Sequence, residues 1–177
     1  VQLVGYSYAA ETLVPGDEFD ITLYWQSDAP LAEDYSVFVH LVDELGIVQA
    51  QSDSYPAQGS RQTSEWQPGT VIIDQHRVHL PQTMPGPSRL RVEAGMYRYR
   101  DGKRLPTGQG DTIALGSVDT AALTSPAGIP NPMRAVFGDK IELTGYSLDR
   151  RSLKPGESLT LELWWEVRRM APSPVAC

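Results

Sequence analysis

The chain has 177 residues, of which 41% are hydrophobic, and it carries a formal net charge of −7. An apolar fraction of this size supports a folded core and excludes a largely disordered chain. The acidic balance, without any run of Lys and Arg, argues against nucleic acid as a partner. The one cysteine, Cys177, excludes an internal disulfide and a cysteine-based metal site.

The chain opens with a predicted β-hairpin, in which a VPGDE turn at residues 14–18 leads into a strand. Alternate residues of a strand lie on one face, so the apolar positions of this strand are predicted to face a core. These positions are Phe19, Ile21, Leu23 and Trp25.

More strands follow, separated by Pro-Gly and Asp-Gly turns, and no stretch has a helical period over the length of a helix. They are expected at residues 35–42, 47–53, 70–80, 88–99 and 111–118. Many short strands with frequent turn signals predict an all-β fold, an immunoglobulin-like antiparallel β-sandwich over residues 1–118.

The next segment, residues 119–134, is rich in Pro and small residues and is predicted to be a linker. After it the opening of the chain is repeated: residues 141–166 match residues 1–26 without a gap and with nine identities, among them Gly, Pro and Trp. Tandem duplication explains this match. Residues 135–177 are therefore expected to be a truncated second copy that supplies only the first strands.

The motifs Gly-Tyr, Pro-Gly-Asp, Tyr-Trp and Val-Phe-Val-His-Leu occur in this order in the first copy, and WQPG and RYRDGKRLP follow them. Together they resemble a module that follows the membrane-spanning part of bacterial glycosyltransferases of the protein-mannosyltransferase-like class, found in filamentous green bacteria. The resemblance implies an extracytoplasmic accessory domain of a larger membrane protein. The catalytic residues of that family lie in the membrane-spanning part, so it implies no catalytic residue here and no enzyme activity for this chain.

Residue patterns for catalysis or for cofactor binding are weak. His76 and His79 are three apart on a predicted strand and should point to opposite faces, so they are not expected to share a metal. His40 lies within a strand and is expected to be a partly buried structural histidine bonded to backbone. Carboxylates cluster in turns, where they cap backbone amides, and neither a metal nor a cofactor site is predicted.

Exposed aromatic rings are the means by which carbohydrate-binding modules stack on sugars. Trp66, Tyr97 and Tyr99 lie near loops or strand ends and are the candidate glycan contacts. The leading hypothesis is thus a non-catalytic accessory and interaction module, and the alternative is a carbohydrate-binding module that uses these aromatic residues.

The apolar stripe of the second copy lacks the opposite sheet that should cover it. It is expected either to pack on the first sandwich or to pair with the same segment of another molecule, which would give a homodimer. The residues that would carry this self-association are Leu159, Leu161, Leu163 and Trp165.

Overall fold

The computed structural model describes residues 1–9, 11–108 and 110–168, and this part of the chain is built from strands and turns with one short 3₁₀ turn, Thr63–Glu65. The first eight strands are β1 (Gln2–Tyr8), β2 (Glu18–Gln26), β3 (Tyr35–Val42), β4 (Val48–Ser54), β5 (Val71–His79), β6 (Ser88–Arg98), β7 (Lys103–Arg104) and β8 (Ile113–Thr120). Then come β9 (Pro132–Phe137), β10 (Ile141–Leu148) and β11 (Leu161–Val167). The predicted all-β class is confirmed.

Strands β1 to β8 form two antiparallel sheets. One sheet has the order β1-β2-β5. The other has the order β4-β3-β6, and β7 and β8 both pair with the remaining edge of β6. The chain passes from one sheet to the other after β2, β4 and β5, which is the Greek-key connection of immunoglobulin-like sandwiches. The predicted β-sandwich is confirmed, and it is called the sandwich below.

The core lies between the two sheets and follows the alternation that the sequence predicts. Phe19, Ile21, Leu23 and Trp25 of β2 are buried, and they meet the inward residues of β3 and β6. Each fully buried aliphatic side chain contributes about 1.5–3 kcal/mol to stability. The inward residues of the opposite sheet are Val37, Val39, Leu41, Leu90, Val92, Ala94 and Met96.

Strand β3 is buried on its outer face as well. There the guanidinium carbon of Arg104 lies 4.5 Å from the centre of the Phe38 ring. The centre of the His40 ring lies 4.6 Å from the same ring centre of Phe38. Gly95, the cross-strand neighbour of Phe38, leaves room for that ring, since a Cβ at Gly95 would collide with it. His40 is therefore a packed residue of an outer aromatic cluster, while its expected bond to backbone stays a prediction.

The connection between β1 and β2 is bonded side by side with the end of β8. The N–H of Leu13 donates to the carbonyl of Asp119 at 3.0 Å, and the N–H of Ala121 donates to the carbonyl of Leu13 at 2.8 Å. Leu13 and Thr120 thereby form a parallel bridge. The hydroxyl of Tyr8 adds a bond to the carbonyl of Leu115 at 3.2 Å.

Strands β9 to β11 form a separate antiparallel sheet of order β11-β10-β9, called the second unit below. Its β10–β11 hairpin repeats the β1–β2 hairpin pair by pair: Leu3↔Trp25 becomes Leu143↔Trp165, and Tyr6↔Leu23 becomes Tyr146↔Leu163. The irregularity before Gly5 recurs before Gly145. The sequence repeat is thus a repeat of strand pairing, while a truncated second sandwich stays a prediction.

The segment predicted as a linker overlaps the flanking strands, since β8 ends at Thr120 and β9 begins at Pro132. Between them, residues 121–131 form hydrogen-bonded turns, such as the bond from the N–H of Ser125 to the carbonyl of Ile129 at 2.9 Å. The domain limits 1–118, 119–134 and 135–177 remain predictions.

Candidate functional site

The structure disperses the three aromatic residues predicted as glycan contacts. Trp66 is only 3% exposed and belongs to the core beside the 3₁₀ turn, so its ring has no face to offer a sugar. Tyr97 is half-buried on the outer face of β6, where its ring lies 6.3 Å from Phe38. Tyr99 is 70% exposed, and its ring lies 6.3 Å from that of Tyr55.

The expectation that Trp66 is a surface contact is therefore corrected. A Trp that follows a turn and precedes a Pro-Gly pair looks like a loop residue in the sequence. In the fold this loop closes one end of the sandwich: the hydroxyl of Thr63 donates to the carbonyl of Glu33, and the indole of Trp66 turns inward. A glycan role for Tyr97 and Tyr99 stays a prediction.

A buried polar chain that the sequence analysis did not foresee links β4 and β5. Asp74 and His76 both point into the sandwich, where neither side chain has exposed surface, and His76 Nε2 lies 2.9 Å from Asp74 Oδ2. On the other side of the ring, His76 Nδ1 lies 3.3 Å from the hydroxyl of Ser52. The two-residue spacing of Asp74 and His76 on a strand is the signal that could have shown that they share a face.

Serine, histidine and aspartate in a hydrogen-bonded series are also the groups of a nucleophilic triad. Nucleophilic attack requires a hydroxyl that substrate can reach and a ring beside it that can exchange protons. Here the ring and the carboxylate are enclosed, and Ser52 lies on the inward side of an edge strand. The arrangement favours a structural role, in which the chain joins the two sheets along one edge.

The same carboxylate holds an unusual loop. Asp74 Oδ1 accepts the N–H of Ala57 at 2.8 Å, and Ala57 and Gln58 have φ values of 54° and 57°. Successive left-handed residues other than glycine are strained and persist only when their surroundings fix them. The buried Asp74 therefore positions Gln58 at the surface.

Gln58 also lines a polar groove of about 600 Å³ that runs over the outer face of the β1-β2-β5 sheet. Two cross-strand rows line this groove. One row is Ser7, Thr22 and Gln75, and the other contains Asp20 and Arg77, whose side chains form two hydrogen bonds of 2.7 and 2.9 Å. Hydroxyl, amide and paired charged groups of this kind can bind a polyhydroxylated ligand.

A second surface of interest is the contact between the sandwich and the second unit. Arg151 places Nη1 3.2 Å from the hydroxyl of Ser88 and 3.5 Å from the carbonyl of Pro85, and its side chain is only 14% exposed. The same nitrogen lies 3.9 Å from Asp43 Oδ2. A cation of the second unit is thus seated against an acidic corner of the sandwich.

Hydrogen bonds within its own turn hold the carboxylate of Asp43 in place beside Arg151. Its Oδ1 accepts the N–H groups of Leu45 and Ile47 at 2.9 Å, and its Oδ2 accepts from Gln49 at 2.8 Å. Burial alone would raise the pKa of Asp43, but these donors and the charge of Arg151 outweigh it and hold the pKa below its usual value. Asp43 is therefore ionised where Arg151 docks.

Asn131 also contributes to this contact. We call the contacts that Arg151 and Asn131 make between the sandwich and the second unit the junction. Its amide accepts the N–H of Gly86 at 2.9 Å and donates to the carbonyls of Gly86 at 2.7 Å and Tyr146 at 3.1 Å. One side chain thereby joins a sandwich loop to β10. Sequence reasoning missed Asn131 and Arg151 because partners far along the chain give no local pattern.

The apolar stripe of the second unit is exposed in the described part of the chain. The side chains of Leu163 and Trp165 are 44% and 48% exposed, whereas Leu23 at the equivalent position of β2 is 0% exposed. The stripe does not pack on the sandwich in the described residues, and the contact with the sandwich is made instead by the polar side chains of the junction. Self-association through Leu159, Leu161, Leu163 and Trp165 stays a prediction.

Within residues 1–9, 11–108 and 110–168, no group of three or more His, Cys, Asp or Glu side chains is arranged to hold a metal ion. No protein-family model matches the chain, and neither curated proteins nor solved structures show significant similarity to it.

Proposed function

We propose that the chain is a non-catalytic accessory and interaction module, built from β-sandwich units in tandem, on the extracytoplasmic side of a larger membrane glycosyltransferase. The observation that carries the proposal is the junction, where Arg151 and Asn131 bind the second unit to the sandwich through side chains. A bonded junction sets the direction in which the next unit points, which suits spacing and presentation.

The parent enzyme class is proposed from the resemblance of the Gly-Tyr, Pro-Gly-Asp, Tyr-Trp and Val-Phe-Val-His-Leu motifs. None of the helices in the described residues has the length and apolar character needed to span a bilayer. Reading the coding frame on both sides of the chain tests the parent: membrane-spanning segments of a glycosyltransferase upstream support it, and an unrelated soluble enzyme contradicts it.

Small-angle X-ray scattering of the chain tests the spacing role. A single arrangement of sandwich and second unit should reproduce the scattering curve, and the maximum dimension should stay constant with added salt at moderate concentration. A curve that requires a broad ensemble of inter-unit distances would contradict a fixed spacer. Hydrolysis of model glycosides or esters by the purified chain, lost on Ser52→Ala, would contradict the non-catalytic assignment.

The polar groove favours one alternative, a carbohydrate-binding module. Its support is the row Ser7, Thr22 and Gln75, which lines the groove together with Gln58, since these uncharged groups match sugar hydroxyls. Calorimetric titration with soluble oligosaccharides tests it: Thr22→Ala with Gln75→Ala should abolish binding. Binding that persists in this variant but is lost on Tyr99→Ala would instead assign the sugar to the exposed Tyr55–Tyr99 pair.

A further inference from the structure

The two repeated hairpins differ in what lies on their outer edge. In the second unit, β9 pairs with β10 on the side away from β11, with Phe137 opposite Ile141 and Ala135 opposite Leu143. The contact continues beyond the strand, where the N–H of Tyr146 donates to the carbonyl of Pro130 at 3.1 Å. The carbonyl of Tyr146 accepts from the Asn131 amide. The outer edge of β10 is thus bonded along its length.

Strand β1 is the equivalent of β10, but it lies at the end of its sheet, and among the described residues no strand pairs with it on the side away from β2. Because the pairing of the two hairpins is the same, Tyr6 presents to this open side the backbone groups that Tyr146 presents to Pro130 and Asn131. An exposed edge of this kind is a template for another strand.

The space beside Gly5 differs from the space beside Gly145, the equivalent glycine of the second hairpin. A Cβ added at Gly145 would collide with the Ile129 side chain and lie 2.7 Å from the carbonyl oxygen of Pro130. A Cβ added at Gly5 would meet only the Tyr24 ring, at 3.6 Å. Gly145 is required by the segment that crosses it, whereas the same space beside Gly5 is open.

We propose that the outer edge of β1 is a binding site for an extended segment with the sequence pattern of residues 129–140, delivered in cis through a tight turn. The second unit provides this sequence pattern. There a strand pairs antiparallel with β10 and is followed by Gly138 and Asp139, whose φ values of 54° and 53° are left-handed. The N–H of Lys140 donates to the carbonyl of Phe137 at 3.1 Å, and a β-turn with two such central residues joins antiparallel strands closely. Edge pairing then supplies affinity through main-chain hydrogen bonds.

The test is an extension of the full chain, with the sequence IPNPMRAVFGDK of residues 129–140 placed directly before Val1. This spacing reproduces the connection from Lys140 to Ile141. Hydrogen exchange of the β1 amides, and of Tyr6 in particular, should slow by roughly tenfold relative to the unextended chain, as a new main-chain hydrogen bond predicts. The matched control carries proline in place of the alanine and valine of the extension, because proline cannot donate to a ladder.

A second variant ties the effect to the proposed geometry. Gly5→Ala should leave exchange in the unextended chain nearly unchanged, yet remove most of the protection that the extension confers. Unchanged β1 exchange on extension, or equal protection with the proline control, would overturn the proposal. Protection of β1 that rises with protein concentration in the unextended chain would also overturn it, because the edge would then belong to a second copy.

Discussion

The guanidinium of Arg151 lies beside the carboxylate of Asp43, with Nη1 3.9 Å from Oδ2, and this pair joins the second unit to the sandwich. Its neighbour Arg150 instead turns outward, where it faces Asp149 and Glu157 at 48% exposure. The two arginines are adjacent in sequence and opposite in environment, which makes them a matched pair for mutation.

Arg151→Ala is expected to loosen the junction. It removes the hydrogen bond to Ser88 and leaves the ionised Asp43 without its cation, at a cost of about 1–3 kcal/mol to docking. Limited proteolysis should show faster cleavage within residues 121–131, and scattering should show a larger maximum dimension. Arg150→Ala is the control, and equal effects of the two substitutions would mean that the junction does not depend on Arg151.

Leu23 and Leu163 occupy equivalent positions with different burial, so their substitutions should differ in cost. Leu23→Ala leaves a cavity in the core and should lower the free energy of unfolding by about 2–5 kcal/mol. Leu163→Ala changes a side chain that is exposed in the monomer, so at protein concentrations where the chain is monomeric it should cost no more than about 0.5 kcal/mol. Urea denaturation monitored by Trp fluorescence measures both, and a large loss for Leu163→Ala would show that its stripe is covered in solution.

Self-association through that stripe has its own measurement. The ring of Phe137 lies 5.5 Å from that of Trp165, and both residues are about half exposed, so the two rings add aromatic surface to the exposed stripe. Light scattering should report a mass above that of the monomer, and Leu163→Lys should restore the monomer because a charge in a dry interface is costly. A monomer at all concentrations in the unsubstituted chain contradicts the expectation.

Trp66 is expected to behave as a core residue. Trp66→Ala should destabilise the sandwich by about 3–5 kcal/mol, whereas Tyr99→Ala should be nearly neutral. The buried indole nitrogen of Trp66 has no hydrogen-bond partner in the described residues, so Trp66→Phe should cost less than Trp66→Ala. Thermal unfolding of the three variants provides the comparison, and a stable Trp66→Ala protein would refute the core assignment.

His40 should make stability depend on pH. Burial lowers the pKa of His40 below 6.5, and Arg104 lowers it further, while Asp53 and Glu93 oppose this in part. The unfolded chain then takes up a proton before the folded one, so the free energy of unfolding should fall as pH drops below about 6.5 towards the folded-state pKa.

Urea denaturation at about pH 5 and about pH 8 tests this dependence. His40→Gln should reduce the difference between the two stabilities, while the exposed His79→Gln serves as the control. An unchanged difference in His40→Gln would mean that another group is responsible.

Local periodicity predicted most of the strands of the sandwich, because apolar and polar residues alternate along a strand that is buried on one face and exposed on the other. The inward positions Phe19 to Trp25 are an example, and so is the opposition of His76 and His79. The burial of Trp66 and the docking of Arg151 could not be predicted, because they depend on partners far along the chain. Trp66 shows the limit clearly: turn residues surround it, yet the loop that carries it closes over the core.

The parallel bridge between Leu13 and Thr120 has a mechanical consequence. A load that pulls the start of β1 and the end of β8 in opposite directions acts along these strands, so the two hydrogen bonds at Leu13 are sheared together rather than opened one by one. We expect the sandwich to resist stretching more strongly along this direction than across its strands. Single-molecule extension of the chain, compared with Leu13→Pro, measures that resistance, and the proline variant should yield at lower force.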